Sequence, residues 1–451
     1  MGSILIQAHI LECIKNRIRR HRMEEKKNYQ KGIIVGLTGG ILGTFICAAI
    51  CIMIGINLMV IQKNAQEQKE TEPPTEAVTV LPEQTDADKL LNEEFRDRLD
   101  DIYGLLQENF LYDIDDDDLR DGMYMGLMAA LGDPYSTYYN EEAYNSFEQS
   151  TSGKYYGIGV QVSQNMTTGI ITLVKPFKGA PGYEAGILPN DILYAVNGVE
   201  VTGMDLNEVV SMIKGEKGST VELTVVREGE SDYLVFDVER REVETPTVEI
   251  EVLENQVGYM IISGFEEVTV SQFFNGIAEL SSGGMKALVI DLRNNPGGRL
   301  DVVTSVLDRI LPEGVLVYTE DKYGNRDNEI YSNQQTILDV PLAVLVNGES
   351  ASASEIFAGD VQDFGAGIIV GTQTFGKGIV QTVYPLGDNT AVKMTVSSYF
   401  TNAGRNIHGV GITPDIVVEL NEELKQKREI TREEDNQLQT AIEALLSGLN
   451  Q

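Results

Sequence analysis

The chain has 451 residues, a formal net charge of −34 and a sequence pI of about 4.4. This length predicts several domains, and the acidic balance argues against nucleic acid as a partner, because phosphate binding needs a basic face. The three cysteines stand at positions 13, 47 and 51, so the long C-terminal part has no disulfide, no cysteine zinc site and no thiol nucleophile. His408 is the last of three histidines and the other two precede residue 22, which excludes a two-histidine metal site downstream.

The N-terminal region predicts a membrane anchor. Residues 1–31 carry eight Lys or Arg against three Glu, and residues 32–62 form an uncharged run of 31 residues. A spanning helix needs roughly 20 apolar residues, so we expect a transmembrane helix over 32–62 instead of a buried core helix or a cleaved signal peptide. The basic cluster precedes this run, so the positive-inside rule places residues 1–31 in the cytoplasm and the rest outside. We therefore expect a single-pass protein of the plasma membrane with an extracytoplasmic body.

Two segments of different character follow the apolar run. Residues 63–90 are polar and acidic and contain a Pro-Pro pair, which predicts a flexible linker. Residues 91–150 predict an N-terminal helical segment, because apolar residues recur at helical spacing between 95 and 106 and again between 119 and 131. LGDPYSTYYN, at 131–140, predicts a stop and a turn, since Pro134 disfavours continuation of the helix.

Residues 151–240 predict a mostly-β module. GIGVQV at 157–162 and GIITLVKPF after it predict two partner strands, and GAPGYEAGILPNDILYAVNG follows at 179–198. These residues resemble a PDZ domain. The resemblance implies a loop whose backbone amides receive a peptide C-terminal carboxylate, beside a strand edge that adds the peptide as an extra strand; the alternative is a glycine-rich strand start without a ligand. The loop residues are Tyr156, Gly157, Ile158, Gly159 and Val160.

Residues 241–420 alternate strand-like and helical patterns. ALVIDLR at 287–293 and PLAVLVNG at 341–348 are continuous apolar runs of the kind that buried parallel strands show. This is an α/β layout, in which sites lie just beyond the carboxyl ends of strands. NNPGG follows the first run and GESASAS follows the second, so we expect both turns at the site.

A lysine lies 25 residues after the middle serine of SASAS, in the run GTQTFGKG at 371–378. The run has the outline of a phosphate-binding loop, but Gly378 stands where such a loop needs Ser or Thr to hold Mg²⁺. The following IVQTVYPL predicts a strand where that loop would need a helix. The sequence therefore disfavours a nucleotide-dependent membrane factor. The SASAS run, taken alone, also fits a helix that packs closely through small residues.

Four motifs together resemble the catalytic core of the C-terminal processing peptidases, also called tail-specific proteases: DLRNNPGG (291–298), SASASEI (350–356), FGKGIVQ (375–381) and GITPDI (411–416). The order of helical segment, PDZ-like module and core also fits that family. The resemblance implies a multidomain α/β protein with a ClpP/crotonase-like protease core that needs no cofactor or metal. It places the nucleophile on Ser352, the general base on Lys377 and a lysine-positioning amide on Gln381. Asp363 stands where some members have an aspartate near the site, as a possible accessory residue.

The chemistry of these residues fits the resemblance. A serine hydroxyl needs a base to become nucleophilic, and with no suitable histidine a lysine serves if burial lowers its pKa. The tetrahedral oxyanion needs backbone donors, for which Ala353 at the helix start and either Gly297 or Gly298 are the natural pair. Asp360 departs from the family pattern, since it occupies a helix position commonly filled by a small residue.

Residues 421–451 predict a charged C-terminal helix that ends in an apolar stripe, which must be covered. The stripe packs on the body or mediates a homodimer. The whole sequence predicts a membrane-anchored serine endopeptidase that recognises protein or peptide substrates by accessible, apolar C-termini. The alternative is a non-catalytic PDZ scaffold on a degenerate protease core. The stripe residues are Leu438, Ile442, Leu445 and Leu446.

Overall fold

The computed structural model describes residues 89–333, 338–427 and 430–449. The predicted cytoplasmic tail and transmembrane helix, and all but the end of the predicted linker, lie outside these residues. Within the described ranges, no helix is both long and apolar enough to cross a membrane. The chain divides into two compact units, Met1–Ile114 and Asp115–Gln451.

The predicted N-terminal helices are confirmed. In the first unit, helix α1 (Glu93–Asn109) begins after Asn92, whose side chain accepts a hydrogen bond from the N–H of Phe95 at 2.8 Å. In the second unit, helix α2 (Asp116–Ala129) begins after Asp115, whose side chain accepts two backbone N–H groups of the first turn. Strand β1 (Thr137–Tyr139) and helix α3 (Glu141–Ser152) complete the segment.

The predicted β module forms an antiparallel sheet closed by one helix, in the strand order β3-β4-β5-β7-β8 with β6 on β5. Alternate residues of its strands are buried, including Leu173, Leu193 and Leu223, and they pack with Val209 and Ile213 of the helix. A separate ladder joins the first and last strands, β2 and β9, and ties the two ends of the module together. The elements are β2 (Lys154–Gly157), β3 (Val160–Gln164), β4 (Ile171–Pro176), α4 (Pro181–Glu184), β5 (Asp191–Val196), β6 (Val199–Glu200), α5 (Leu206–Ile213), β7 (Thr220–Val226), β8 (Leu234–Glu239) and β9 (Arg241–Glu244).

The predicted α/β core is confirmed and is built on a six-stranded sheet. Its elements are β10 (Val248–Val252), β11 (Val257–Ile262), α6 (Glu267–Ser282), β12 (Ala287–Asp291), α7 (Leu300–Leu307), β15 (Leu342–Val346), α8 (Ala353–Asp363), β16 (Ile368–Gly371) and β19 (Ile416–Val417). The order is β10-β11-β12-β15-β16-β19, and every pair except β10 with β11 is parallel. One face packs against α6, α7 and α8, so the central strands are buried on that side.

A second, antiparallel sheet stands beside the core. It contains β13 (Gly314–Asp321), β14 (Arg326–Ser332), β17 (Ile379–Pro385) and β18 (Ala391–Thr401). Strand β1 of the N-terminal segment joins it by pairing with β18, with Thr137 opposite Lys393. The turn predicted at 131–140 therefore contains a strand that reaches a partner more than 250 residues later.

The C-terminal helix is shorter than predicted. The described residues between 421 and 435 are turns and irregular chain, and helix α9 spans Asn436–Leu449. The helix begins there because Asp435 accepts the N–H groups of Gln437 and Leu438, each at 3.1 Å. Leu438 and Leu445 pack on the second face of the six-stranded sheet, so packing on the body covers the apolar stripe.

Candidate active site

The NNPGG and GESASAS turns lie side by side at the carboxyl ends of two central strands of the six-stranded sheet. Strands β12 and β15 are parallel neighbours, so both turns leave the sheet at the same edge. The N–H of Ala351 donates to the carbonyl of Asn295 at 3.1 Å, which joins the two turns directly. This is the edge at which the sequence predicted a site.

Ser352 differs from the two serines that flank it. Ser350 and Ser354 are fully buried, and their hydroxyls donate to the carbonyls of Leu292 at 2.7 Å and Asn295 at 3.0 Å. Ser352 is half-buried, and its φ of 54° and ψ of −114° are values that residues other than glycine rarely adopt. Backbone strain of this kind is concentrated at functional sites. The strained turn before α8 therefore singles out the middle serine.

Glu355 is a buried residue that sequence reasoning did not select, and it connects the serine turn to the lysine turn. Its Oε2 accepts the N–H of Ser352 at 2.9 Å and the N–H of Lys377 at 2.8 Å. Its Oε1 accepts the hydroxyl of Thr374 at 2.6 Å and the N–H of Gly376 at 2.7 Å. One fully hydrogen-bonded carboxylate thus fixes both backbones. The S-x-x-E spacing of a capping box was the signal in the sequence that pointed to it.

Tyr399 makes a second connection between the same two turns. Its hydroxyl lies 3.1 Å from the carbonyl oxygen of Ser352 and 2.9 Å from that of Lys377. Burial raises the pKa of Tyr399 well above its ordinary value, and the carboxylate of Glu355 acts in the same direction. The hydroxyl therefore stays protonated and available as a donor.

The side chain of Lys377 is partly withdrawn from water. Burial lowers the pKa of Lys377 below its ordinary value, and the like charge of Lys393 lowers it further, while Asp133 and Glu355 act in the opposite direction. The amine Nζ lies 4.4 Å from the centroid of the Tyr135 ring. Among the described residues, no side chain or carbonyl accepts a hydrogen bond from Nζ.

Among the described residues, no hydrogen bond or ion pair joins Gln381 or Asp363 to Lys377 or Ser352. A register shift in the β17–β18 ladder precedes Gln381, and its Nε2 lies 3.3 Å from the hydroxyl of Thr395. Asp363 stands at the end of α8, about 16 Å along the helix axis from Ser352. There its carboxylate pairs with Arg405 at 2.5 Å, so the structure places Asp363 in an ion pair at the far end of α8 and not beside the serine.

The three candidate oxyanion donors differ in whether their N–H groups already have a hydrogen-bond acceptor. The N–H of Gly297 donates to Oδ1 of Asn295 at 2.8 Å, so this donor is already engaged. The N–H groups of Gly298 and Ala353 have no acceptor among the described residues. Gly297 instead provides the close approach of the two turns, because a Cβ on it would lie 2.9 Å from the backbone nitrogen of Ala353. Of the three candidates, Gly298 and Ala353 are thus the two whose N–H groups are free in the described part of the chain.

His408 is exposed, and its backbone N–H donates to the side chain of Asn406 at 2.8 Å. A Cβ on Gly378 would lie 2.5 Å from the backbone nitrogen of His408, so this late turn packs on the lysine turn through main chain. Within residues 89–333, 338–427 and 430–449, no group of three or more His, Cys, Asp or Glu side chains is placed to hold a metal ion.

The predicted carboxylate-binding loop lies between β2 and β3. The carbonyl of Ile158 accepts the N–H of Gly182 at 2.7 Å, and Gly159 adopts a φ of 69°. The N–H groups of Ile158 and Gly159 have no acceptor in the described part of the chain. Lys217 Nζ lies 5.7 Å from the ring of Tyr156, which is exposed. The loop thus has free backbone donors and a nearby positive charge.

Three family models match separate parts of the chain: the PDZ domain at 173–227, Peptidase family S41 at 256–418, and the activating protease CtpB N-terminal domain at 50–143. A carboxy-terminal-processing protease of Bartonella bacilliformis is 37% identical over 330 residues, which cover 71% of this chain and 74% of the relative. The chain belongs to the carboxy-terminal processing protease family. The carboxy-terminal processing protease CtpB of Bacillus subtilis is 34% identical over 371 residues, which cover 81% of this chain and 74% of that relative.

This membership makes the chain a serine-type peptidase with a PDZ domain and with protein or peptide substrates. The resemblance stated from the four sequence motifs is thereby confirmed. Among solved structures, a photosystem II D1 C-terminal processing protease is 27% identical and covers 74% of this chain and 88% of that chain, with a TM-score of 0.42.

Proposed function

We propose that this family member cleaves peptide bonds through an acyl-enzyme on Ser352, with Lys377 as the general base. The observation that carries the proposal is the position of Glu355, whose one oxygen binds the backbone N–H groups of both residues at 2.9 and 2.8 Å. Such a bridge fixes a nucleophile and a base beside each other, although they are far apart in sequence. The lowered pKa of Lys377 supplies neutral amine at a pH where an ordinary lysine is charged.

The reaction uses these groups in two halves. In the first, neutral Nζ of Lys377 takes the hydroxyl proton of Ser352 while Oγ bonds to the scissile carbonyl carbon. The N–H groups of Ala353 and Gly298 bind the oxyanion, and each such donor contributes ~3–4 kcal/mol. The C–N bond then breaks as the ammonium returns its proton to the leaving amine. In the second half, Lys377 takes a proton from a water whose oxygen bonds to the ester carbon. The ester C–O bond then breaks as the ammonium returns that proton to Oγ of Ser352.

Proton transfer requires Nζ to move from the Tyr135 ring to the hydroxyl of Ser352. Catalytic hydrogen bonds are often absent before substrate binds and form in the substrate complex. We assign Gln381 to that step, since its amide turned away from Thr395 can hold the amine without adding charge. A lysine side chain has the free torsions for this movement, whereas the Glu355 bridge keeps its backbone in place.

The PDZ domain selects the substrate in this proposal. The free N–H groups of Ile158 and Gly159 bind the terminal carboxylate, and the edge of β3 pairs with the tail. The partly buried side chains of Val160 and Val162 on β3 then favour apolar C-termini. A substrate with an amidated C-terminus loses the anion, so we expect KM to rise about tenfold or more, with kcat nearly unchanged. Equal KM values for the free and the amidated tails would contradict this role.

We further propose that the uncharged run at 32–62 anchors the chain in the plasma membrane, with the catalytic part outside the cytoplasm. The basic cluster that precedes the run supports this orientation. In spheroplasts of a bacterial host, external protease should then digest the C-terminal part of the full chain. The full chain should also resist extraction by alkaline carbonate. Complete extraction, or full protection from the protease, would rule out the anchored arrangement.

The catalytic proposal is tested with the full chain and an unfolded protein that ends in an apolar tail. Ser352→Ala should reduce cleavage to background, whereas Ser282→Ala, at an exposed hydroxyl on α6, should cleave like the parent. Lys377→Arg should be inactive at neutral pH because arginine does not deprotonate, and the matched Lys175→Arg should be active. Full cleavage by Ser352→Ala would remove the nucleophile assignment, and a parent chain that cleaves no substrate would favour the non-catalytic scaffold.

A further inference from the structure

A loop from the N-terminal segment reaches the proposed base. Pairing of β1 with β18 brings the residues before Thr137 beside the β17–β18 hairpin. Asp133 Oδ2 accepts the hydroxyl of Ser136 at 2.5 Å, and Asp133 Oδ1 accepts the N–H of Tyr135 at 3.1 Å. The hydroxyl oxygen of Ser136 in turn accepts the N–H of Thr395 at 3.1 Å. The loop is therefore held in one conformation against β18, more than 250 residues away in sequence.

This loop presents an aromatic face to Lys377. The ring of Tyr135 is half-buried, and its centroid lies 4.4 Å from Nζ of Lys377, within the range of cation–π attraction. No described residue accepts a hydrogen bond from Nζ, so the ring face is what holds the amine. Lys377 is itself half-buried.

The charges that face Lys377 come from three elements. Lys393 on β18 disfavours the ammonium, whereas Asp133 on the loop and Glu355 on α8 favour it. The uncharged hydroxyl of Tyr399 lies on the carbonyl side of Lys377. His408 meets the adjacent Gly378 through its backbone, and its ring is exposed. Glu355 accepts four donors of the two site turns, whereas Asp133 accepts the hydroxyl of Ser136 and the N–H of Tyr135 and so is carried by the same loop as the ring.

We propose that Tyr135 and Asp133 are positioning residues for the general base, an inference that rests on the proposed role of Lys377. Between turnovers the Tyr135 ring attracts the ammonium form of Lys377 and excludes water from it, and the neutral amine leaves the ring to take the serine proton. Asp133 stabilises the ammonium that forms when the base takes the serine proton. Both residues affect the reaction through the amine of Lys377.

The first test measures Lys377 itself in full-length Ser352→Ala protein. An amine-reactive acetylating reagent is applied across a pH series, and mass spectrometry gives the labelling rate of Lys377. Asp133→Asn keeps the side-chain shape and removes the negative charge that favours the ammonium. The pH at which Lys377 reaches half its maximal labelling rate, the labelling midpoint, should therefore fall. At a pH below the midpoint of the parent, Lys377 should be labelled at least threefold faster in the variant. The control is Asp121→Asn, which removes a carboxylate on α2 that accepts the hydroxyl of Tyr138. This variant should leave the labelling midpoint of Lys377 unchanged. An unchanged midpoint in Asp133→Asn overturns the role of Asp133.

The same labelling tests the ring. Tyr135→Leu removes the aromatic face and should raise the labelling rate of the neutral amine at least threefold, while Tyr135→Phe, which keeps the face, should label like the parent. Equal rates in Tyr135→Leu and the parent overturn the role of Tyr135. The labelling rate is measured without catalysis. It therefore tests the roles of Tyr135 and Asp133 even if cleavage proves not to depend on Ser352, the outcome that would overturn the proposed function.

Kinetics in the otherwise unmodified chain separate positioning from substrate contact. Tyr135→Leu should lower kcat at least tenfold with KM nearly unchanged, and Tyr135→Phe should restore kcat to within twofold of the parent. A tenfold rise in KM with unchanged kcat would mean that the ring contacts substrate, which overturns the positioning role.

Discussion

The backbone N–H of Lys377 donates to the carboxylate of Glu355 at 2.8 Å. The same oxygen accepts the N–H of Ser352, so a side chain from the first turn of α8 holds both halves of the proposed dyad. The carboxylate is completely buried and has no cationic partner among the described residues. It is instead stabilised by four donors from Ser352, Thr374, Gly376 and Lys377.

Replacing this carboxylate should impair catalysis more than substrate binding. In Glu355→Gln an NH₂ group replaces one oxygen and faces backbone N–H groups that have lost their acceptor. Hydrogen bonds to charged groups contribute about 1.5–3 kcal/mol each. We therefore expect the thermal midpoint to fall and kcat to fall by about two orders of magnitude, with KM within threefold. Steady-state kinetics and thermal unfolding measure both effects.

The matched control for this substitution is Glu349→Gln, an exposed glutamate in the same turn. It should leave kcat and the thermal midpoint unchanged. A Glu355→Gln protein with parental kcat would show that the bridge does not position the dyad.

The pH dependence of cleavage should follow the charge of Lys393. Only the neutral amine of Lys377 accepts a proton, so kcat/KM rises as the pH increases through the pKa of Lys377. The positive charge of Lys393 lowers that pKa; removing the charge in Lys393→Gln raises it, and the acid limb of the profile moves to higher pH. At a fixed pH on that limb, activity should fall severalfold, while the high-pH plateau stays constant.

Lys175→Gln is the control for that profile. Lys175 lies on the surface of the PDZ domain, where it pairs with Glu249 at 3.2 Å, and it does not face Lys377. Its removal should leave the acid limb in place. A Lys393→Gln limb that moves to lower pH would contradict the assignment of Lys377 as the titrating base.

Local patterns in the sequence were enough to predict the layout of the core. The apolar runs at 287–293 and 341–348 form neighbouring parallel strands, and this adjacency brings NNPGG and GESASAS together. The role of Glu355 was not predictable, because a capping-box spacing is common and three of its four partners, Thr374, Gly376 and Lys377, belong to another turn. The contact of Tyr135 with Lys377 depends on the pairing of β1 with β18. Hydrophobic periodicity predicts that a segment is a strand, but it does not predict which strand more than 250 residues away pairs with it.

Two other differences have local causes. The charged stretch after 421 has helical composition, but the side chain of Asp435 caps the helix and sets its start near Asn436. A register shift in the β17–β18 ladder lies between Val380 and Gln381, and such a bulge leaves no mark in the alternation of residues.

Stability should depend on pH through Asp360. Its side chain is completely buried, and its Oδ2 has no hydrogen-bond partner in the described structure. Burial raises the pKa of Asp360 well above its ordinary value, and Asp363 contributes in the same direction. A raised folded-state pKa means that the stabilising contribution is complete below the unfolded pKa, about 4, and is lost as the pH rises through the folded value.

Asp360→Asn removes that titration. We expect its thermal midpoint to exceed that of the parent at pH 7 and the difference to disappear near pH 4, because each unit of pKa elevation costs about 1.4 kcal/mol once the group ionises. The control is Asp232→Asn, at an exposed position of the PDZ domain, which should have the same thermal midpoint as the parent at pH 7 and near pH 4. Thermal unfolding across pH 4–8 measures this. A difference that grows toward low pH would have the wrong sign for a buried acid.

Gly297 should be irreplaceable for activity, because the two turns touch at its Cα. A Cβ on Gly297 would lie 2.7 Å from the carbonyl oxygen of Ala351 and 2.9 Å from the nitrogen of Ala353, and its φ of 105° disfavours any L side chain. Gly297→Ala should therefore push the oxyanion donors apart and reduce kcat by at least about 100-fold, the loss typical of one missing donor. Gly324→Ala has similar backbone strain, with φ 79°, but faces open space, so it separates strain from collision. It should lower the thermal midpoint slightly and leave kcat at the parental value. Equal kcat values for the two variants would show that the close approach of the turns does not set the oxyanion site.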